Sequence, residues 1–276
     1  MPELPEVETV RRTLAPAIGQ RVGVVWASRA RLRGALIPRR KLSAAVGQKI
    51  EAVRRWGKYL MVDIGADGLV LVVHLGMTGR LRLHQTGEPR VAHTHMVLEL
   101  ENLELRYSDP RRFGHVSVTA RAVEHVHTPL SVLGLDALSA ELSGTMLHRH
   151  TRRSRQSLKS FLMDQSIIAG LGNIYVCEAL WVAKLRPTTR SHRLSLARAN
   201  ALVSAIRRVL NRALELGGTS LRDFVAADGA TGENVHYLRV YGREGERCQR
   251  RGCGGVIRRR VVGGRATFHC PRCQTG

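Results

Sequence analysis

Aromatic residues are scarce in this chain: Phe, Trp and Tyr make up 4% of its 276 residues. Each one that stands among charges is therefore informative, and Phe113, set between Arg112 and Gly114, reads as a residue exposed on a loop. Acidic residues are scarce as well. There are 22 Asp and Glu against 44 Lys and Arg, a net charge of +22, with the basic residues spread over the whole length. Such an excess concentrates phosphates around a protein, and each phosphate it neutralises releases condensed counterions. No run of 18 apolar residues occurs, which excludes a membrane-spanning helix of ordinary length. No segment carries the broad apolar face of a helix that lies on a membrane surface. The start, Met1-Pro2-Glu3, lacks a charged stretch followed by an apolar one, so no signal peptide is expected. Internal repeats and low-complexity tracts are absent too. Only Cys177 precedes residue 248 among the five cysteines, and its apolar surroundings make it a small buried hydrophobe. These absences describe a cytoplasmic, reducing setting and a nucleic-acid partner.

The remaining four cysteines are close together. Cys248 and Cys253 form one pair, Cys270 and Cys273 the other, with 16 residues between the pairs. Two close pairs at this separation let four thiolates meet one tetrahedral ion, the arrangement of a structural zinc site. The first pair is looser than a C-x2-C turn, because Gln249-Arg250-Arg251-Gly252 fills its gap. Two disulfides are the alternative, although disulfide frameworks belong mostly to small secreted domains. Nine arginines lie between residues 239 and 265, against Glu244 and Glu246. One structural Zn2+ in a nucleic-acid-binding finger is the expectation.

The texture of the chain changes along its length. Residues 5–15 predict a helix, with Pro5 and Glu6 suited to its first turn and Val7, Val10 and Leu14 on one face. From about 21 to 120 the text is a series of short β-like runs, with Glu101-Asn102 as a hairpin reversal. Helical periodicity then predicts segments at 143–151, 155–165, 172–184 and 194–216, the last stopped by Gly217-Gly218. The expected organisation is α+β. A β-sandwich domain over 1–125 with an N-terminal helix is followed by a linker over 126–142. A helical domain over 143–235 and a four-cysteine β-hairpin finger over 239–273 complete it.

Pro2 offers chemistry if the initiator Met is removed, because it then carries a secondary amine. An α-amino group titrates near about 8, so part of it is unprotonated at neutral pH. Such an amine can attack an aldehyde-like carbon and form a cationic Schiff base, with the Glu3 carboxyl alongside for acid catalysis. In isolation, Pro2 and Glu3 are weak evidence and read as ordinary residues at a helix entry.

The whole text resolves that choice. Pro2-Glu-Leu-Pro-Glu-Val-Glu-Thr-Val-Arg-Arg12 closely resembles the start of the bacterial formamidopyrimidine-DNA glycosylases. Further similar motifs follow in order: Lys58-Tyr-Leu60, His74-Leu-Gly-Met-Thr-Gly79, Asp109-Pro-Arg-Arg-Phe-Gly114, Gly170-Leu-Gly-Asn-Ile-Tyr175, Gly217-Gly-Thr-Ser-Leu-Arg-Asp-Phe224 and Val240-Tyr-Gly-Arg243, then the four-cysteine finger. The resemblance spans nearly the full chain. It implies a bifunctional base-excision-repair enzyme, glycosylase and AP lyase, that removes oxidised purines such as 8-oxoguanine and formamidopyrimidines from double-stranded DNA. It implies a monomer that binds no membrane, with DNA held between its two domains.

Carried over residue by residue, the resemblance makes Pro2 the nucleophile at C1′ and Glu3 the acid. Lys58 contacts phosphate and assists β-elimination, and Arg265 grips phosphates around the lesion and is assigned to δ-elimination. Met77, Arg111 and Phe113 fill the hole left by the extruded base, with chemistry that suits a wedge, a planar donor and a stacking ring. His93, Arg155, Lys159 and Asn173 are implied DNA contacts, and Asn173 stands at a helix mouth where N–H groups suit a phosphate. The chain also departs from the family pattern. Thr94 stands where Asp is frequent, Arg222 where Lys is frequent, and Ser154 where a DNA-contacting Lys is usual. Gly232-Glu-Asn-Val-His-Tyr237 lies where relatives often carry Gly-Tyr-Phe, which leaves lesion preference open. Two other readings remain at this point: an endonuclease VIII type that prefers oxidised pyrimidines, and a non-catalytic zinc-containing DNA or RNA binder.

Overall fold

A computed structural model describes residues 1–66, 68–126, 129–219 and 232–276. The chain divides into two compact units, one of residues 1–132 and 216–233, the other of 133–215 and 234–276.

The first unit opens with helix α1 (Leu4–Thr13). Glu3 and Glu6 form a capping box at its start, the Glu6 carboxylate accepting the Glu3 N–H at 2.8 Å. Leu4, Val7 and Val10 are buried on one face, as the 3.6-residue period requires. Eight strands follow in two four-stranded antiparallel sheets. Their ranges are β1 (Val24–Ala27), β2 (Ile50–Trp56), β3 (Tyr59–Ile64), β4 (Leu69–His74), β5 (Arg80–Gln85), β6 (Thr94–Glu99), β7 (Leu103–Ser108) and β8 (His115–Ala120), with a short helix α2 (Arg39–Leu42) between β1 and β2. One sheet has the order β1-β6-β7-β5 and the other β2-β3-β4-β8. Alternate residues of both sheets meet in one core: Leu60, Val62 and Ile64 from β3, Leu71 and Val73 from β4, Met96 and Leu98 from β6, Leu105 and Tyr107 from β7. This is the expected sandwich, and the Glu101-Asn102 reversal joins β6 to β7 as read. β2 and β5 carry the Arg54-Arg55 and Arg80-Leu-Arg-Leu83 stretches, which mix charge into their apolar residues.

The second unit is helical. It contains β9 (Leu135–Asp136), α3 (Gly144–Arg152), α4 (Leu158–Leu162), β10 (Ile168–Ala169), α5 (Asn173–Val182) and α6 (Leu196–Glu215). Ser143 and Ser157 cap α3 and α4 through bonds from the N–H groups of Met146 and Ser160. The second helix is shorter than the expected 155–165, because its cap at Ser157 begins it late and Met163 ends it. The segment read as a linker holds β9, paired in parallel with β10. Beyond α6 the backbone turns with positive φ at Gly217 and Gly218, the expected helix stop. Strands β11 (Arg258–Val262) and β12 (Arg265–His269) form the C-terminal hairpin. Gly263 and Gly264 take φ of 58° and 70° at its tip, as a two-residue turn matched to strand twist requires. Among the described residues no helix is long and apolar enough to cross a membrane.

Candidate active site and nucleic-acid interface

Pro2 and Glu3 are buried at the positive end of α1, and Met1 beyond them is exposed. The capping box fixes their backbone. Glu6 then extends the arrangement, since its second carboxylate oxygen accepts the Thr219 N–H at 2.7 Å. Glu6 was read only as a helix-dipole residue; its role as a bridge between α1 and the Gly217-Gly218-Thr219 turn depends on a contact 213 residues away.

Lys58 occupies the turn between β2 and β3, where Trp56 pairs with Tyr59, and it is buried. His74 stands on the neighbouring strand opposite Tyr59. Burial first, then the Lys58 ammonium, hold His74 down to about 4, so at neutral pH it carries no charge. Its Nδ1 accepts the Gly76 N–H at 3.1 Å.

The turn after His74 and the loop after β7 are tied together by Asp109, which is 0% exposed. Its carboxylate accepts from Thr78 Oγ1 at 2.6 Å, from the Gly114 N–H at 2.8 Å and from the Tyr107 hydroxyl at 3.3 Å. The Arg111 N–H in turn donates to Thr78 Oγ1 at 3.3 Å. The two segments touch so closely that a Cβ on Gly76 would lie 2.5 Å from the Gly114 nitrogen, and one on Gly114 would lie 1.8 Å from the Tyr107 hydroxyl oxygen. Met77, Arg111 and Phe113 ride on this doubly braced platform. Phe113 is 46% exposed, as its sequence context predicts, and the Arg111 guanidinium stacks 4.7 Å from its ring centre. His93 is exposed with φ of 62°, and its carbonyl accepts the Asp109 N–H at 3.0 Å. The same buried residue therefore positions all four.

In the second unit Arg265 is exposed at the first residue of β12, directly after the Gly263-Gly264 turn. Asn173 begins α5, and its Nδ2 donates to the Ala266 carbonyl at 2.9 Å while its Oδ1 is buried with no partner. Arg155 is exposed. Lys159 is placed differently from Arg155. It is 1% exposed, and its ammonium donates to the Ala266 carbonyl at 3.2 Å and to Thr267 Oγ1. This buried ammonium holds the hairpin that carries Arg265. Arg222 lies outside the described residues.

The four finger cysteines are brought together, with all sulfurs within 4.8 Å of one another. Cys248 and Cys273 are 3.8 Å apart and Cys253 and Cys270 3.6 Å, so all are free thiols and no disulfide links them. A tetrahedron with metal–sulfur bonds of about 2.3 Å has edges of about 3.8 Å, so the donor set fits one metal ion. Burial pushes the Cys273 thiol up to about 12. At Cys248 burial acts the same way but is outweighed by the N–H groups of Arg250 and Trp181, which bring it down to about 7. Deprotonating all four thiols in so small a space requires a cation to offset the charge. The approach to the finger is fixed by Glu178, buried in α5, which accepts the N–H groups of Arg239, Val240 and Tyr241, each at 2.9 Å. Nothing in its apolar helix marked Glu178 beforehand except that it is the one carboxylate there.

Residues 1–116 match the formamidopyrimidine-DNA glycosylase N-terminal domain and residues 133–225 the formamidopyrimidine-DNA glycosylase H2TH domain. Among similar proteins, a formamidopyrimidine-DNA glycosylase of Ruegeria pomeroyi is 42% identical, covering 99% of this chain and 100% of its own. One from Cereibacter sphaeroides is 44% identical with the same coverage. Among solved structures, a Lactococcus lactis Fpg mutant in complex with Fapy-dG-containing DNA superposes with a TM-score of 0.90 at 35% identity over 100% of both chains. The complex of Lactococcus lactis Fpg with DNA containing an abasic site gives 0.89 at 34% identity, covering 99% of this chain and 100% of that one. Identity of this size along the entire length, on the same fold, means that the chain belongs to the formamidopyrimidine-DNA glycosylase family.

Proposed function

We propose that this protein excises formamidopyrimidines and 8-oxoguanine from duplex DNA in base excision repair and then cleaves the strand by β,δ-elimination. The observation that carries the reading is the N-terminus: Pro2 held by the Glu3–Glu6 box at the positive end of α1, with Glu3 at its side. Once Met1 is removed, the Pro2 nitrogen attacks C1′ of the damaged nucleotide. The glycosidic bond breaks as the base leaves with the bonding electrons and a proton, and the Pro2 nitrogen gives up its own proton. The C1′–O4′ bond then opens, O4′ taking a proton for which Glu3 is the acid, and the nitrogen lone pair forms the cationic iminium. The iminium on Pro2 withdraws electrons from the sugar. Loss of a C2′ proton then expels the 3′-phosphate, and a second elimination expels the 5′-phosphate. The helix dipole disfavours a proton on the Pro2 amine and so keeps its lone pair available. Lys58 and Arg265 neutralise the phosphates that depart, Arg265 as a permanently charged fork.

Met77, Arg111 and Phe113 take the place of the extruded base, and His93, Arg155 and Asn173 contact the backbone. Asn173 suits this at a helix start, where phosphate competes for its amide donors. The ion in the finger is Zn2+. It holds the hairpin's shape and, bound by four thiolates, has no open position for chemistry. The protein works as a monomer on nucleoid DNA, with the sandwich of residues 1–125 carrying the reaction and the segments 143–235 and 239–273 the grip.

Borohydride trapping on duplex DNA with one 8-oxoguanine tests the reading. The expected result is a covalent adduct that disappears in Pro2→Gly and in protein that retains Met1. Tight binding with no adduct on 8-oxoguanine, formamidopyrimidine or abasic DNA would make the protein a binder and refute the chemistry.

A further inference from the structure

The widened first knuckle of the finger places one side chain against the metal centre. Arg250 lies within the four-residue gap between Cys248 and Cys253. Its carbonyl accepts the Cys253 N–H at 3.0 Å, so its backbone belongs to the knuckle turn. Its side chain folds back across α5. The guanidinium sits 4.5 Å from the centre of the Trp181 ring, Nη2 donates to the Trp181 carbonyl, and Nε donates to Cys273 Sγ at 3.4 Å. Trp181 completes the circuit, because its Nε1 donates to Cys248 Sγ at 3.3 Å. One sulfur from each cysteine pair thus receives a hydrogen bond from this Arg–Trp stack.

Four thiolates around a divalent ion leave a net charge of about −2. Three of the four sulfurs belong to buried residues and the fourth to a half-buried one, so water neutralises that charge poorly. A guanidinium in hydrogen-bond contact supplies a fixed positive charge, and its N–H draws electron density from the sulfur. Both effects lower the tendency of the thiolate to leave the metal, be protonated or be oxidised. Stacking on Trp181 holds the guanidinium planar against the ring, and the bond to the Trp181 carbonyl fixes its direction.

We propose that Arg250 and Trp181 form an outer clamp on the metal centre, which sets how long the finger keeps its ion and how well its thiolates resist oxidants. The clamp rests on the zinc reading above. It also ties the centre to α5, the helix that presents Asn173 at its other end and contacts β12 of the hairpin.

The test uses the full-length protein, with bound zinc measured first and then its release to a coloured chelator, alone and under hydrogen peroxide. Arg250→Met fills the space over the ring without charge or donors, and release is expected to speed up about tenfold or more, the range seen when outer-shell partners of metal ligands are removed. Arg250→Lys restores charge without the fork and is expected to fall between Met and wild type. Trp181→Phe keeps the ring, loses the N–H, and accelerates release to a smaller extent. If either R250M or W181F releases zinc at the wild-type rate, the clamp is refuted. Wild-type protein that binds no zinc at all removes the zinc reading and the clamp together, whereas zinc-bearing wild type with unchanged variants removes the clamp alone.

Discussion

Two buried charges of opposite sign, one in each unit, do the same kind of work. Asp109 in the sandwich is fully buried and braces the loops that carry Met77, Arg111 and Phe113. Lys159 in the helical unit is almost as buried and braces the hairpin that carries Arg265. In both places the exposed residue suited to DNA is aimed by a charge that never reaches solvent. The difference lies in what the charge binds. Asp109 collects hydrogen-bond donors from the turn after β4, from β7 and from the loop before β8, two of them side-chain hydroxyls. Lys159 donates to a single hairpin, mostly to its backbone carbonyls. The sandwich platform is therefore set by side-chain identity at several positions, and the hairpin platform by one lysine and a backbone shape.

Removing the brace should cost more where more partners are orphaned. Asp109→Ala leaves the Tyr107 and Thr78 hydroxyls and the Gly114 N–H without their acceptor, and a loss of about 3 kcal/mol or more in urea unfolding is expected. A loss under about 1 kcal/mol would mean the loops are held by packing alone. Lys159→Met orphans the Ala266 carbonyl and the buried Thr267 hydroxyl of the hairpin, and about 2 kcal/mol is expected. Its effect on DNA separates bracing from contact. Arg265→Ala should lower the slope of log affinity against log salt by about 1, the signature of one lost phosphate contact. Lys159→Met should weaken binding with the slope unchanged. A slope change equal to that of R265A would return Lys159 to the phosphate and break the comparison.

Much of this was legible beforehand. The short, nearly continuous apolar runs of β3 and β4, the 3.6-residue period of α6 and the paired cysteines each arise from neighbours in sequence. So did Phe113, exposed because a lone aromatic between Arg and Gly has no apolar side to bury. The hairpin partners of Lys159 were hidden because, in so basic a chain, a lysine beside Arg155 reads as a phosphate contact. Its true partners lie 106 to 108 residues further on, in a hairpin whose position only the fold supplies. Asp109 was hidden within its own motif, where the arginines and the phenylalanine drew the chemistry. Glu6 and Glu178 were likewise invisible as organisers, since each binds backbone N–H groups that have no side-chain signature.

A third, half-buried group sharpens the contrast by staying neutral. His74, just before the Met77 turn, is held down to about 4 by burial and by Lys58, whereas an unfolded histidine titrates near about 6.5. As pH falls below 6.5 the unfolded chain takes up a proton that the folded chain refuses, so stability declines until the folded group also titrates near 4. The penalty reaches about 2 kcal/mol by pH 5. Replacing His74 with Gln should remove that part of the acid sensitivity between pH 6.5 and 5 and leave stability at pH 8 less affected, as read by melts across pH. An unchanged acid limb would place the titration elsewhere.

The smallest stability effect is expected at Phe113, the ring we propose stacks in the DNA. Phe113 is nearly half exposed, and in the free protein its ring meets the Arg111 guanidinium. Phe113→Ala therefore forfeits little burial and one exposed cation–π contact, so unfolding should change by about 0.5 kcal/mol or less. Stacking of an aromatic side chain on a base is worth about 1–3 kcal/mol, so affinity for duplex carrying an abasic-site analogue should drop about tenfold or more. Asp109→Ala, at the other end of the same loop, should lose stability and affinity together. If Phe113→Ala instead destabilised the fold as Asp109→Ala does, the ring would be part of the core. The division between residues that aim and residues that are aimed would then fail in the unit where it is drawn most sharply.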